Sequence, residues 1–275
     1  VRGKKLLKKD VRLSTALIDM YCKCGALPKA IKLFDELPDR TVVTWTALIT
    51  GYAQNGLGDE ALKCFTQMKD IGVSPTAVTY ISLLKACGMV GSLVIGKEID
   101  AEVRKQGLLQ NNFVLGNALM SMYFKCDAVE KAREVFEHLH MRDVVSWSTL
   151  IAGFTDHGFG DEALKCFEQM KDAGVCPDGK AYVSILKACG VSGSLTIGED
   201  IDAEVRKRGL LREDTVLVTA LMNMYFKCGA VEKAREVFKL IPAPNVVSWN
   251  TLISGYVQHG LGDEALECFK QMQDV

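Results

Sequence analysis

A single period governs this chain. Trp45, Trp147 and Trp249 stand 102 residues apart, as do Cys24, Cys126 and Cys228 in the strings YCKCGA, YFKCDA and YFKCGA. The same step joins Cys64, Cys166 and Cys268, each followed by Phe, and links Cys87 to Cys189 in the shared string LKACG. Self-similarity at a fixed period means that one local structure is built repeatedly and stacked on its copies.

A looser similarity divides each block into units of 31, 35 and 36 residues. The register is 11–41, 42–76 and 77–112, then 113–143, 144–178 and 179–214, then 215–245 and a shorter unit at 246–275. Every unit holds two apolar stretches separated by a Gly-containing turn. In 144–178, Trp147, Leu150, Ile151 and Phe154 recur at helical spacing, and Ala163, Leu164, Phe167 and Met170 follow after His157-Gly158. The pattern reads as a helical hairpin. Asn55-Gly56, His157-Gly158 and His259-Gly260 mark the end of a first helix, and Asp59, Asp161 and Asp263 are expected to cap the second. VVTWT, VVSWS and VVSWN are rich in β-formers. Their apolar spacing nevertheless runs on into TLI at three to four residues, and no second β-rich run follows to pair with them, so they too read as helix. Residues 1–10 align with 103–112, which makes them the expected tail of a truncated 36-residue unit and the chain an expected piece of a longer array.

Composition narrows the class. With 48% hydrophobic and 24% charged residues and only six prolines in 275, disorder is excluded. No apolar run reaches the roughly 18 residues of a membrane span. Ten cysteines are too few for a disulfide scaffold of this length. Cys22 and Cys24 are only two apart, no CxxC pair exists, and the repeat-position cysteines sit within apolar stretches, so they read as buried packing residues and no metal is expected. The HxE and CxxC pattern of zinc deaminases is absent, as are phosphate-cradling glycine loops beside a strand. These residues therefore read as non-catalytic and cofactor-free.

The formal net charge is -1, so no overall field draws polyanions, and any nucleic-acid surface must come from local arrangement. Stacked hairpins align their first helices along one concave face, and the stripe opposite the core carries every third or fourth residue. That stripe is Thr15, Asp19 and Lys23 in 11–41, Asn117, Ser121 and Lys125 in 113–143, and Thr219, Asn223 and Lys227 in 215–245; the long units add Lys85 and Lys187. Five lysines thus share one face, with Asp19 and Asp156 as partial offsets. Backbone phosphates are their natural partners, and affinity should fall by about 0.7 log unit per phosphate for each log unit of salt.

The strings GYAQNGLGDEALKCFTQM, GFTDHGFGDEALKCFEQM and GYVQHGLGDEALECFKQM, the shorter ALIDMYCKCGALPKAIKLF, ALMSMYFKCDAVEKAREVF and ALMNMYFKCGAVEKAREVF, and the longer ISLLKACGMVGSLVIGKEI and VSILKACGVSGSLTIGEDI resemble the pentatricopeptide repeat family. The alternation of 35, 36 and 31 is similar to the plant subclass that mixes standard, long and short repeats. The 34-residue tetratricopeptide unit suits it poorly. The resemblance implies an all-α fold, a right-handed α-solenoid superhelix of stacked helix-turn-helix hairpins, binding single-stranded RNA at about one base per repeat. It further implies a specificity factor for C-to-U editing in the mitochondrion or chloroplast, with editing accessory proteins or a deaminase acting in trans, and no metal or membrane.

In this family the fifth and last residues of a repeat read the base and the second packs against neighbouring bases. Carried over, the pairs are Thr15 with Thr41, Thr46 with Thr76, Asn117 with Asp143, Ser148 with Asp178 and Thr219 with Asn245, while Asn250 has no last residue in the chain. The family pattern gives U, G and A to the third, fourth and fifth of these, which implies 5′-UGNA-3′ over residues 113–245; the two threonine pairs have no assigned base. The long units offer Ile81 with Asn112 and Val183 with Asp214, whose apolar fifth residues cannot hydrogen-bond a base. Val43, Val114, Val145, Val216 and Val247 occupy the packing position, and Arg12 and Lys180 depart from it toward phosphate. The last residues also precede a helix, where Ser, Thr, Asp and Asn serve as caps. The competing reading is a protein-binding scaffold of the tetratricopeptide kind, whose groove holds a peptide and reads no RNA.

Overall fold

The computed structural model describes residues 11–110, 112–212 and 214–273; the proposed unit tail at 1–10 lies outside them. Among the described residues there are sixteen α-helices, one 3-10 turn at Leu210–Arg212 and no strand. They fall into two compact units, divided in sequence between Met141 and Arg142. The first holds α1 (Val11–Lys23), α2 (Leu27–Asp35), α3 (Val42–Gln54), α4 (Gly58–Asp70), α5 (Ala77–Val90), α6 (Leu93–Lys105), α7 (Phe113–Lys125) and α8 (Val129–Glu137). The second holds α9 (Val144–Asp156), α10 (Gly160–Asp172), α11 (Gly179–Ser192), α12 (Leu195–Lys207), α13 (Thr215–Lys227), α14 (Val231–Phe238), α15 (Val246–Gln258) and α16 (Gly262–Gln273).

Each unit is a stack of hairpins, an α-solenoid. In the first, α1, α3, α5 and α7 pack in succession as one layer, and each even-numbered helix packs on its own partner. Helices α2, α4 and α6 also touch the first helix of the hairpin that follows. The second unit repeats this with α9, α11, α13 and α15 as its layer. Neither face of a hairpin is buried by the hairpin alone, so the apolar residues of both helices gain cover from the next copy. Trp45, Trp147 and Trp249 are all buried, and Phe34 meets Trp45 edge-on with ring centroids 4.7 Å apart. Burying each such large side chain contributes roughly 1.5–3 kcal/mol.

The β-rich strings lie inside α3, α9 and α15, as their spacing demanded. The turns correct one sequence expectation. Asp59, Asp161 and Asp263 do not cap the second helices; each lies within the first turn, where its charge complements the helix dipole. Leu57 and Phe159 hold the cap position without a side-chain bond. The reason is economy of chain. With Gly56 at φ +83, the Leu57 N–H donates to Tyr52 O at 3.0 Å, closing α3, and Leu57 O then accepts the first bond of α4 from Ala61. One residue ends the first helix and begins the second, which leaves Asp59 inside.

Polar latches fasten each long hairpin to the short one after it. Asp100 of α6 is buried, and its carboxylate accepts from Tyr123 Oη of α7 at 2.7 Å and from Arg104 Nε at 2.7 Å. Asp202 of α12 is buried in the same way, taking Tyr225 Oη of α13 at 2.7 Å and a two-pronged Arg206. The hydroxyls sit in this burial beside a carboxylate, and both tyrosine pKa values are pushed upward.

Candidate nucleic-acid interface

The last residue of nearly every unit is placed by the helix it precedes. Oδ1 of Asp143, Asp178, Asn112, Asp214 and Asn245 accepts the N–H three residues on, at 2.8, 2.8, 3.0, 3.0 and 3.0 Å, and Thr41 Oγ1 does so at 3.5 Å. Each Asp or Asn cap spends one oxygen and fixes the direction of its other polar atom. Thr76 is held differently, through Thr79.

The fifth residues lie on the exposed side of the first helices. Thr15, Thr46, Ser148 and Thr219 are half-buried, and each hydroxyl donates to the carbonyl four residues back at 2.6–2.7 Å. Asn250 is exposed, and Ile81 and Val183 are half-buried. Asn117 differs from the expectation of an exposed ladder. It is only 9% exposed, and its Oδ1 has no hydrogen-bond partner among the described residues. Packing on α7 is tight here: at neighbouring Gly116 a Cβ would fall 2.5 Å from Leu139 Cδ2.

Two cavities collect these positions. In the second unit a cavity of about 490 Å³ lined by α11, α13 and the start of α15 brings together Thr219, Asn245, Val216, Val247, Lys187 and Lys227. In the first unit a cavity of about 680 Å³ lined by α1, α3 and the start of α5 brings together Thr15, Thr46, Thr76, Val43 and Arg12. The five valines of the packing position stand 49–66% exposed, an unusual place for a β-branched apolar side chain unless something covers it. Val78, exposed at the second position of a long unit and lining the first cavity, was not singled out in the sequence. Its signal was there: it aligns with Val43. Lys180, at the same position of the other long unit, is exposed.

Charge on this face is partly compensated. Lys23 pairs with Asp19 at 2.7 Å, and Lys187 of α11 pairs with Asp156 of α9. Exposed pairs of this kind are worth little and exchange readily for another anion. Lys85, Lys125 and Lys227 are exposed and form no ion pair among the described residues. The stems of two of them are guided by glycine: a Cβ at Gly88 or Gly190 would fall 2.9 Å from Cδ of Lys125 or Lys227. An alanine there would displace the amine-bearing chain.

Among the described residues no group of three or more His, Cys, Asp or Glu could hold a metal ion, and no helix is long and apolar enough to cross a membrane. Burial pushes the thiols of Cys87 and Cys189 up to about 12, far from thiolate chemistry at neutral pH. Not every repeating cysteine is a packing residue, however. Cys24 is exposed because it lies in the turn after α1.

The model of the PPR repeat family matches residues 40–89 and 142–190, and that of the single PPR repeat matches 13–42, 117–144, 216–243 and 247–275. A chloroplastic pentatricopeptide repeat-containing protein of Arabidopsis thaliana is 39% identical over 270 residues, 98% of this chain and 43% of the relative. A mitochondrial one from the same plant is 38% identical over 272 residues, 97% of this chain and 39% of its own. The chain thus spans less than half the length of these relatives. The crystal structure of the maize pentatricopeptide repeat protein PPR10 superposes with a TM-score of 0.77 at 22% identity, over 96% of this chain and 38% of that one. PPR10 in complex with an 18-nt psaJ RNA element gives 0.80 at 22% identity, over 96% and 40%.

Proposed function

The chain belongs to the pentatricopeptide repeat family, and on that premise we propose that it binds single-stranded RNA at about one base per repeat and acts as a specificity factor in organellar RNA processing, with C-to-U editing as the process. The observation that carries the reading is the second-unit cavity, where exposed Val216 and Val247 flank a hydroxyl and an amide that are each half-spent on their own helices. Thr219 has given its proton to Thr215 O, and Asn245 has used Oδ1 on the Ser248 N–H. What remains is an acceptor beside an NH₂ donor, between two apolar plates: a slot for the edge and faces of one base. Asn117 lends it no support: its Oδ1 is buried without a partner among the described residues, and a base reaches it only if the packing around α7 opens.

The alternation of 31, 35 and 36 residues supports membership of the plant subclass of mixed repeats, and the organelle names of the relatives support a chloroplast or mitochondrial destination. The lysines hold phosphates and the fifth and last residues choose bases, which gives 5′-UGNA-3′ as the target of residues 113–245. In this reading chemistry belongs to a partner or to another domain, and this chain supplies the address. Fluorescence anisotropy at two salt concentrations tests it. A 5′-UGNA-3′ RNA should bind saturably, lose affinity with salt, and lose about tenfold when its G becomes C, a difference of roughly 1.4 kcal/mol for one good base contact. Absence of saturable binding, or indifference to that G, overturns it; a peptide-holding scaffold would give the first result.

A further inference from the structure

We infer that residues 42–76, whose Thr46 and Thr76 match no assigned base, select guanine, and that buried Thr79 is the positioning residue that makes them do so. The inference rests on the RNA-reading role proposed above and goes beyond it in naming the base and the residue that sets it. The hydroxyl protons of these threonines decide the base. Thr46 Oγ1 lies 2.7 Å from Val42 O. A carbonyl oxygen cannot donate, so the single Thr46 hydroxyl proton is committed there. Thr46 Oγ1 also lies 2.7 Å from Thr79 Oγ1, and with its own proton spent it can only accept that bond. The Thr79 proton therefore points to Thr46. Thr79 Oγ1 also receives the Thr76 N–H at 3.1 Å and lies 3.0 Å from Thr76 Oγ1. Its own proton being used, the donor in that last contact is Thr76.

All three hydroxyl protons are thus directed into the protein, and Thr46 and Thr76 face the first-unit cavity with lone pairs only. Two adjacent acceptors need two adjacent donors. On the Watson–Crick edge guanine alone has them, in N1–H and the N2 amino group; adenine and cytosine set one donor beside an acceptor, and uracil sets one donor between two. Exposed Val43 and Val78 line the same cavity and cover the faces of the base. The same count gives two acceptors for Ser148 with Asp178, and an acceptor with a donor for Thr219 with Asn245, in line with the guanine and adenine of the proposed target.

Four labelled RNAs, 5′-XNUGNA-3′ with X as G, A, C or U, place the variable base opposite residues 42–76. The RNA with X as G should bind about tenfold more tightly than the other three, the value of one hydrogen-bonded base edge. Thr79→Val, nearly the same shape, releases the Thr76 proton and should bring the four to within about threefold. Thr79→Ser should keep the preference. In both variants the discrimination at the G of UGNA and the thermal midpoint report that the fold is intact. Equal affinities for all four RNAs in the unmutated chain, with discrimination at UGNA preserved, overturn this inference alone. So does a preference that survives Thr79→Val. Failure of every RNA to bind saturably overturns the RNA-reading role and this inference with it.

Discussion

Replacing Tyr123 with Phe removes one oxygen from the latch between α6 and α7, and the corresponding change at Tyr225 supplies an internal comparison. The Asp100 carboxylate gives Oδ1 to Arg104 at 2.7 Å and Oδ2 to Tyr123 at 2.7 Å. In the second latch Arg206 reaches both oxygens of Asp202, with NH2 3.1 Å from the Oδ2 that Tyr225 also contacts. A hydrogen bond to a charged group contributes roughly 1.5–3 kcal/mol, with the larger loss where the charge is left buried without a partner. Tyr123→Phe strips Oδ2 of its only partner among the described residues and should cost about 3 kcal/mol. Tyr225→Phe leaves the Arg206 contact and should cost about 1.5 kcal/mol. In a chain of this size each kcal/mol moves the thermal midpoint by about 2–4 °C, so drops of about 6–12 °C and 3–6 °C are expected. Circular dichroism at 222 nm reads the midpoints. Hydrogen exchange should show the first loss concentrated in α6 and α7. Equal drops, or a larger one for Tyr225→Phe, would refute the reasoning that the second guanidinium contact decides the difference.

Two further outcomes follow from local geometry. Asp127 holds φ +55 where Gly25 and Gly229 hold +70 and +76 in the matching turns, so Asp127→Gly should stabilise the chain by about 0.5–1 kcal/mol, read as a higher urea midpoint; an unchanged or lower midpoint counts against left-handed strain at this turn. Burial pushes Tyr52 up to about 12, and Tyr123 and Tyr225 are raised as well, whereas unfolded tyrosines ionise near pH 10. The stability tied to these protonated hydroxyls is full below about pH 10 and drains as pH climbs toward the folded values. The urea midpoint should therefore fall between pH 10 and 12, and a flat profile over that range would contradict the assigned burial.

The hairpins were legible because every local signal appears two or three times. A single VVTWT is ambiguous between strand and helix, but three copies followed by the same 3-to-4 spacing are not. The caps were legible too, since Thr41, Asp143 and Asn245 precede apolar runs and need only their own helix to act. What sequence could not supply was anything decided by the tightness of a turn or by contacts between elements. Asp59 looked like a cap until the tightness of the turn at Leu57 pushed it inward. The pairing of Lys187 with Asp156 joins residues on different helices, and the guidance of Lys227 by Gly190 is an absence of side chain that no local pattern announces. The burial of Asn117 belongs with these: its place on the stripe could be read, its depth could not.

The two carboxylate latches also say where such a protein can be cut and rejoined. Asp100 with Tyr123 and Asp202 with Tyr225 both cross from a 36-residue hairpin to the 31-residue hairpin after it. A shuffled assembly that severs this joint strands a buried acid on one fragment and a lone phenol on the other. Grafts that move the long and short hairpins as one cassette keep donor and acceptor in the same piece, so new arrays are best spliced outside that pair.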